Sequence, residues 1–323
     1  MSRASSSLDP DAIRSGNRRA LAKAITLLES SRPADQAAAQ RLLETLLPDS
    51  GHALRLGVTG VPGVGKSTFI ESFGLHLIEQ GHRVAILAVD PTSPVTGGSI
   101  LGDKTRMPEL SRHPAAFIRP SPASGILGGV ARRTRETLLL CEAAGYDVVL
   151  VETVGVGQSE TLVASMVDCF LMLMLPNAGD ELQGIKKGIV EVADLLVVNK
   201  ADGDQIPLAK STQQAYRQAL RLVRSKASRG ALPVLTCSAL ERSGLGTVWE
   251  AVRAFAQHAR TSGAWEQQRR TQARQWLRTL VEEGLLREFR SRPDVQDRLQ
   301  EYEQAVEDGE LLPTQAAERL LHS

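Results

Sequence analysis

The feature that most constrains this chain is an apolar run, Leu54 to Thr59 (LRLGVT), that leads into a glycine-rich stretch and then into a helix-patterned apolar sequence. The stretch is Gly60, Val61, Pro62, Gly63, Val64, Gly65, Lys66, Ser67 and Thr68, which satisfies G-x-x-x-x-G-K-[ST] in the strand, loop and helix setting the pattern requires. Glycines let successive backbone N–H groups converge on one point, and the following helix adds the positive end of its dipole. Both favour a row of phosphates. Lys66 is placed to reach the β and γ phosphates, Thr68 the α phosphate, and the Ser67 hydroxyl a Mg²⁺ ion, which prefers oxygen ligands. The competing reading, a bare glycine turn between strand and helix, leaves the complete motif unexplained.

A second pattern, Asn199, Lys200, Ala201 and Asp202, closes the apolar run LLVVNK. The Asp202 carboxylate can accept two hydrogen bonds from the N1 and exocyclic amine of guanine, whereas adenine offers no such donor pair and leaves the carboxylate unpaired. Further on, Ser238, Ala239 and Leu240 follow the run PVLTC, where a backbone N–H can serve the guanine O6. Each short pattern alone occurs on solvated loops. Three in chain order, each at the end of an apolar run, point together to a guanine nucleotide.

Between them lie candidates for sensing the γ phosphate. The run DVVLVET delivers Glu152-Thr153-Val154-Gly155, an E-x-x-G arrangement that aims a carboxylate at hydrated Mg²⁺ and a glycine N–H at the phosphate. Upstream, VDPTSPVTGGSILGDKTRM offers Asp90 at a strand end and Asp103 in a Gly- and Ser-rich loop. The expected metal-side residues are thus Ser67, Asp90, Asp103 and Glu152, although Asp90 also fits a turn cap before Pro91 and Asp103 a solvated loop. The expected catalytic group is Lys66, Glu152, Asp90 and Gln158, the last as an orienter of water or as a surface glutamine at a helix start. Lys104 and Arg106 can bring positive charge. No general base or arginine finger stands out, so slow intrinsic turnover is expected.

Short apolar runs recur at 54–59, 83–89, 116–118, 147–152, 170–175, 195–199 and 233–237, separated by loops and helical stretches. Such alternation predicts an α/β fold, a doubly wound and mostly parallel sheet, whose ligands gather at the carboxyl ends of the strands. Helical patterns flank it. The expected organisation is an N-terminal helical extension (1–51), a phosphate-binding domain (52–262) and a C-terminal helical arm (263–323). The composition, 42% hydrophobic and 23% charged, excludes a disordered chain, and no apolar run approaches the roughly 20 residues of a membrane helix. A net charge of +1 gives no global field toward nucleic acid or anionic lipid, so neither is expected as a partner. The three cysteines form no C-x-x-C and the start lacks a secretory apolar core, so a reducing cytoplasm is expected.

With GVTGVPGVGKST, VDPTSP through GDKTRM, VETVGVGQSE, PNAGDELQGIKKGI, NKAD and CSAL in this order, the chain resembles the MeaB/ArgK family of P-loop GTPases, which includes the methylmalonyl-CoA mutase chaperones. The resemblance implies GTP hydrolysis to GDP with Mg²⁺, coupled to an adenosylcobalamin-dependent acyl-CoA mutase, gating cofactor loading and protecting the enzyme from inactivation. It also implies a homodimer built by the C-terminal arm, and an additional switch over Asn177 to Gly188 carrying Asp180, Gln183 and Lys186. Read without the family, that segment is an ordinary helix start with acid first and base later. Three alternatives stay open. One is a metal-insertion GTPase of the nickel type, though the six histidines are scattered; the others are a kinase linked to amino-acid transport and a nucleotide-gated assembly module.

Overall fold

A computed structural model of the chain describes residues 9–89, 107–120, 127–153, 159–176, 192–224 and 232–322. Its centre is a seven-stranded sheet. The strands are β1 (Leu54–Gly60), β2 (Val84–Val89), β3 (Ala116–Arg119), β4 (Val148–Thr153), β5 (Cys169–Met174), β6 (Leu195–Val198) and β7 (Val234–Thr236). They lie in the order β3-β2-β4-β1-β5-β6-β7 with every pairing parallel. The expected α/β, doubly wound sheet is therefore present, and each anticipated strand occurs within a residue or two of its expected bounds. Because β1 sits between β4 and β5 and the chain winds outward on both sides, the carboxyl end of β1 is where a sheet of this kind gathers its ligands.

A parallel sheet must be covered on both faces, and its strands accordingly read as near-continuous apolar runs. On one face Leu56, Val58, Ile86, Leu150 and Leu171 pack with α4 (Lys66–Glu79) and α9 (Leu245–Thr261) through Phe69, Phe73, Val248 and Val252. On the other, Leu87, Val149, Val151 and Phe170 pack with α6 (Leu127–Ala143) and with the N-terminal helices α1 (Pro10–Arg14), α2 (Arg18–Glu29) and α3 (Pro33–Leu46). Toward the β6 and β7 side, α8 (Ile206–Arg224) places Tyr216 and Leu220 against Leu196 and Val198. Each fully buried side chain of this kind is worth about 1.5–3 kcal/mol. Two short helices, α5 (Pro108–Arg112) and α7 (Ser159–Ala164), complete the described connections.

One detail differs from the sequence pattern. Ile13, Leu21, Ile25 and Leu28 predict a single first helix, yet the chain breaks between α1 and α2. Gly16, at φ +76, ends the first helix, and the Asn17 side-chain oxygen accepts from the backbone N–H groups of Arg19 and Ala20, starting a new one while Ile13 stays buried.

After α9 come α10 (Ala264–Ser291), α11 (Pro293–Glu307) and α12 (Pro313–Leu321), matching the expected helical tail. The chain divides into two compact units between Arg269 and Arg270. Within the first unit, the opening turn of α10 is held by charge: Arg269 Nε and Nη2 each donate to Asp168 at 2.7 Å, and Nη2 also donates to the Ala53 carbonyl at 2.6 Å. Within the second unit, α11 and α12 bury Val295, Ala316 and Leu320.

Candidate functional site

β1 ends at Gly60, and the chain then curls over the carboxyl end of the sheet before α4 begins at Lys66. Backbone geometry explains two of the glycines. A Cβ on Gly60 would lie 2.7 Å from the Leu173 carbonyl, and Gly65 adopts φ +91, where a Cβ would lie 3.0 Å from the Asn199 side-chain amide. Side chains are excluded at both points, as a loop that brings bare amides to a ligand requires.

Lys66 folds back over the loop, its Nζ donating to the carbonyls of Gly60 at 2.8 Å and Val61 at 3.3 Å. Burial lowers its pKa, opposed by the negative charges of Glu152 and Glu160. A half-desolvated ammonium held on loop carbonyls gains when a polyanion arrives. Beside it, the Ser67 hydroxyl donates to Glu152 Oε1 at 3.3 Å, and Glu152 is only 8% exposed at the end of β4. Hydroxyl and carboxylate oxygens thus converge next to the phosphate loop, a donor set suited to Mg²⁺.

The second half of the site is organised by Asn199, buried at the end of β6. Its Nδ2 donates to the Val64 carbonyl at 2.9 Å, tying it to the phosphate loop, and its Oδ1 accepts from Ala239 N–H at 3.0 Å and from the Cys237 thiol at 3.5 Å. Lys200 takes the left-handed φ of +58, which turns the chain toward Asp202. The Ser238 hydroxyl donates to Asp202 Oδ2 at 2.5 Å and accepts from Glu241 N–H at 3.0 Å. A short antiparallel bridge between Ser238 and Ser243 shapes the loop, leaving Leu240 77% exposed.

The structure therefore brings together Gly60 through Thr68, Glu152, Asn199, Lys200, Asp202, Ser238, Ala239 and Leu240 around the carboxyl ends of β1, β4, β6 and β7. Asp90, Asp103, Gln158, Lys104, Arg106 and the segment with Asp180, Gln183 and Lys186 lie outside the described residues. Sequence reasoning missed Ser72, buried on α4, whose hydroxyl donates to the Ala239 carbonyl at 2.7 Å and so props the base loop on the phosphate-loop helix. It also missed Glu71, which accepts from Glu109 N–H at 2.8 Å and caps α5 from outside. No motif marks either residue; both depend on which face of α4 turns toward a distant loop.

A glycine-lined phosphate loop joined through one asparagine to an Asp-bearing base loop defines a P-loop nucleotide-binding protein of the GTPase class. More specifically, the chain belongs to the MeaB family: residues 21–294 match the model described as methylmalonyl Co-A mutase-associated GTPase MeaB. A probable GTPase of Mycobacterium tuberculosis is 54% identical over 310 residues, covering 96% of this chain and 92% of the relative. The mouse protein described as methylmalonic aciduria type A homolog, mitochondrial, is 48% identical over 316 residues, covering 95% and 76% respectively. Among solved structures, one described as a LAO/AO transport system kinase superposes with a TM-score of 0.78 at 43% identity, covering 100% of this chain and 98% of that one.

Proposed function

We propose that this GTPase binds GTP with Mg²⁺, hydrolyses it to GDP and phosphate, and in doing so serves an adenosylcobalamin-dependent acyl-CoA mutase. In this reading it gates cofactor loading and protects the mutase from inactivation. The observation that carries the nucleotide half is the Asn199 linkage, through which the base loop and phosphate loop act as one rigid receptor. The mutase half is supported by the family's description and the mouse relative's name.

In the proposed cycle, Lys66 leaves the loop carbonyls for the β and γ phosphates, exchanging two neutral acceptors for charged ones, which roughly doubles each hydrogen bond. The amides of the loop and the start of α4 hold the remaining oxygens. Ser67 and Glu152 would hold Mg²⁺, directly and through water; when bound, the ion neutralises charge developing on the phosphates. Asp202, fixed by Ser238, selects guanine, since adenine would leave that carboxylate without its two donors. Asp90, Asp103 and Gln158 complete the proposed metal and water side, and a homodimer built by the arm completes the assembly.

Isothermal calorimetry with GTP and ATP tests the site: GTP is expected to bind at least about a hundredfold more tightly, and equal affinities would remove the guanine assignment. Single-turnover hydrolysis with and without a purified mutase tests the partner. Stimulation by the mutase supports it, and indifference across a saturating range refutes it. The kinase reading finds support in the name of the solved relative; label transferred from γ-labelled GTP to an acceptor instead of water would favour it.

A further inference from the structure

One buried contact beside the phosphate loop joins two positions to which the motifs assign no role. β1 and β4 are paired with Val58 beside Glu152, so the next residues along, Thr59 and Thr153, stand side by side where both strands leave the sheet. Thr59 is 1% exposed and Thr153 0%, and their hydroxyls share a hydrogen bond of 2.8 Å between positions 94 residues apart. By strand alternation they occupy the sheet face opposite Glu152, in register with Val149 and Val151 of the apolar core. A valine fits such a face as well as a threonine does, and burying a hydroxyl costs free energy unless it is paired. What the pair adds over two valines is direction. Both side chains are β-branched and stiff at χ1, so a hydrogen bond between them fixes the separation of the two backbones and not merely their packing.

Those backbones are the roots of the two parts that must meet a γ phosphate. β1 continues directly into Gly60 and the phosphate loop; Thr153 follows Glu152 and precedes the segment that carries Gly155. Glu152 itself reaches Ser67 at 3.3 Å, a distance sensitive to small shifts of β4 against β1. We propose that the Thr59 and Thr153 hydroxyl pair is a positioning device for hydrolysis, holding Glu152 at a fixed distance from the phosphate loop. The proposal rests on the GTPase reading and deepens it. It assigns the pair to the chemical step: GDP, which lacks the γ phosphate, is held by the loop amides and base loop and does not need this alignment.

Four variants of the full chain test it: Thr59→Val, Thr153→Val, the double Thr59→Val/Thr153→Val, and Thr153→Ser. A single valine leaves one buried hydroxyl unpaired, whereas the double removes both and restores apolar packing. Single-turnover GTP cleavage, calorimetric GDP affinity and melting temperature are measured on each. Each single valine variant is expected to cleave bound GTP about tenfold more slowly with GDP affinity within about twofold of wild type, the loss of one oriented hydrogen bond. Thr153→Ser, which keeps the hydroxyl but loses the branch that stiffens χ1, falls between the wild type and the valine variants in rate, and the double variant regains melting temperature but stays slow. A double variant that recovers rate together with stability would show the pair to be structural only and overturn the proposal. So would single variants with the wild-type rate, or with GDP affinity lost in proportion to rate. Failure of the wild-type protein to cleave GTP would instead bring down the parent reading, and this one with it.

Discussion

The two ends of the central sheet are built on opposite principles. At the carboxyl end of β1, polar groups are held loosely: Lys66 rests on neutral carbonyls, and Ser67 and Glu152 meet at 3.3 Å. At the amino end, charges are closed on one another. Asp168 is 3% exposed and takes two bonds from Arg269 and one from Arg55 N–H, while Arg55 Nε donates to Glu142 at 2.7 Å. Trp265 lies between Arg260 and Arg269, each guanidinium within 5 Å of its ring. One end can exchange its partners for a ligand; the other has already spent its hydrogen bonds on structure. The contrast teaches that a parallel sheet separates function from stability along its own strand direction.

The largest effect is expected at the closed end. Arg269→Ala leaves Asp168 buried without its cation, and removing one member of such a pair costs about 3–5 kcal/mol. Chemical denaturation should show that loss with GTP affinity of the folded fraction unchanged; a fall in affinity at constant stability would break the division. At the open end, Asp202→Ala should weaken GTP about a hundredfold, as expected for a lost pair of specifying hydrogen bonds, and leave the melting temperature within a few degrees. Calorimetry beside a thermal melt reads both.

A smaller effect concerns α10, where Leu277, Val281 and Leu285 recur at i, i+4 and i+8 and are 62%, 52% and 63% exposed. Such a stripe is incomplete without a partner, and the proposed dimer supplies one. Leu277→Glu with Leu285→Glu should raise the dimer dissociation constant at least about tenfold by analytical ultracentrifugation, with intrinsic GTP cleavage unaltered. A variant dimer as tight as wild type would place the interface elsewhere.

The smallest concerns the base loop. Burial pushes the Cys237 thiol up to about 12 from the ordinary 9.0, so its contribution to stability is complete below pH 9 and is lost as pH rises toward 12. Cys141 and Cys169 are fully buried and shifted upward by the same cause. Iodoacetamide at pH 8 should therefore label the folded protein far more slowly than the unfolded chain. Labelling at equal rates would mean that the Asn199 neighbourhood opens readily.

Much of this was legible without the fold, and the reason is local. Gly60 marks a point where backbone passes close to backbone, Gly65 a left-handed turn, and Asn199 with Asp202 a turn at a strand end; such constraints act over a few residues and leave a readable spacing. Strand placement was legible because parallel strands buried on both faces must be apolar throughout. The break before Asn17 was less so, since a helix restart hides inside a continuing apolar period.

What the sequence determined by itself was therefore the menu of groups: a phosphate loop, a carboxylate proposed to read the base, seven strands and a helical tail. Tertiary structure alone decided their meetings. Ser72 reaches Ala239 across 167 positions, Asp168 reaches Arg269 across 101 and Thr59 reaches Thr153 across 94. No local spacing encodes such pairs, because they depend on how strands order within the sheet and which face each helix turns inward. Hydrogen bonds, unlike apolar burial, are specific to those few final distances.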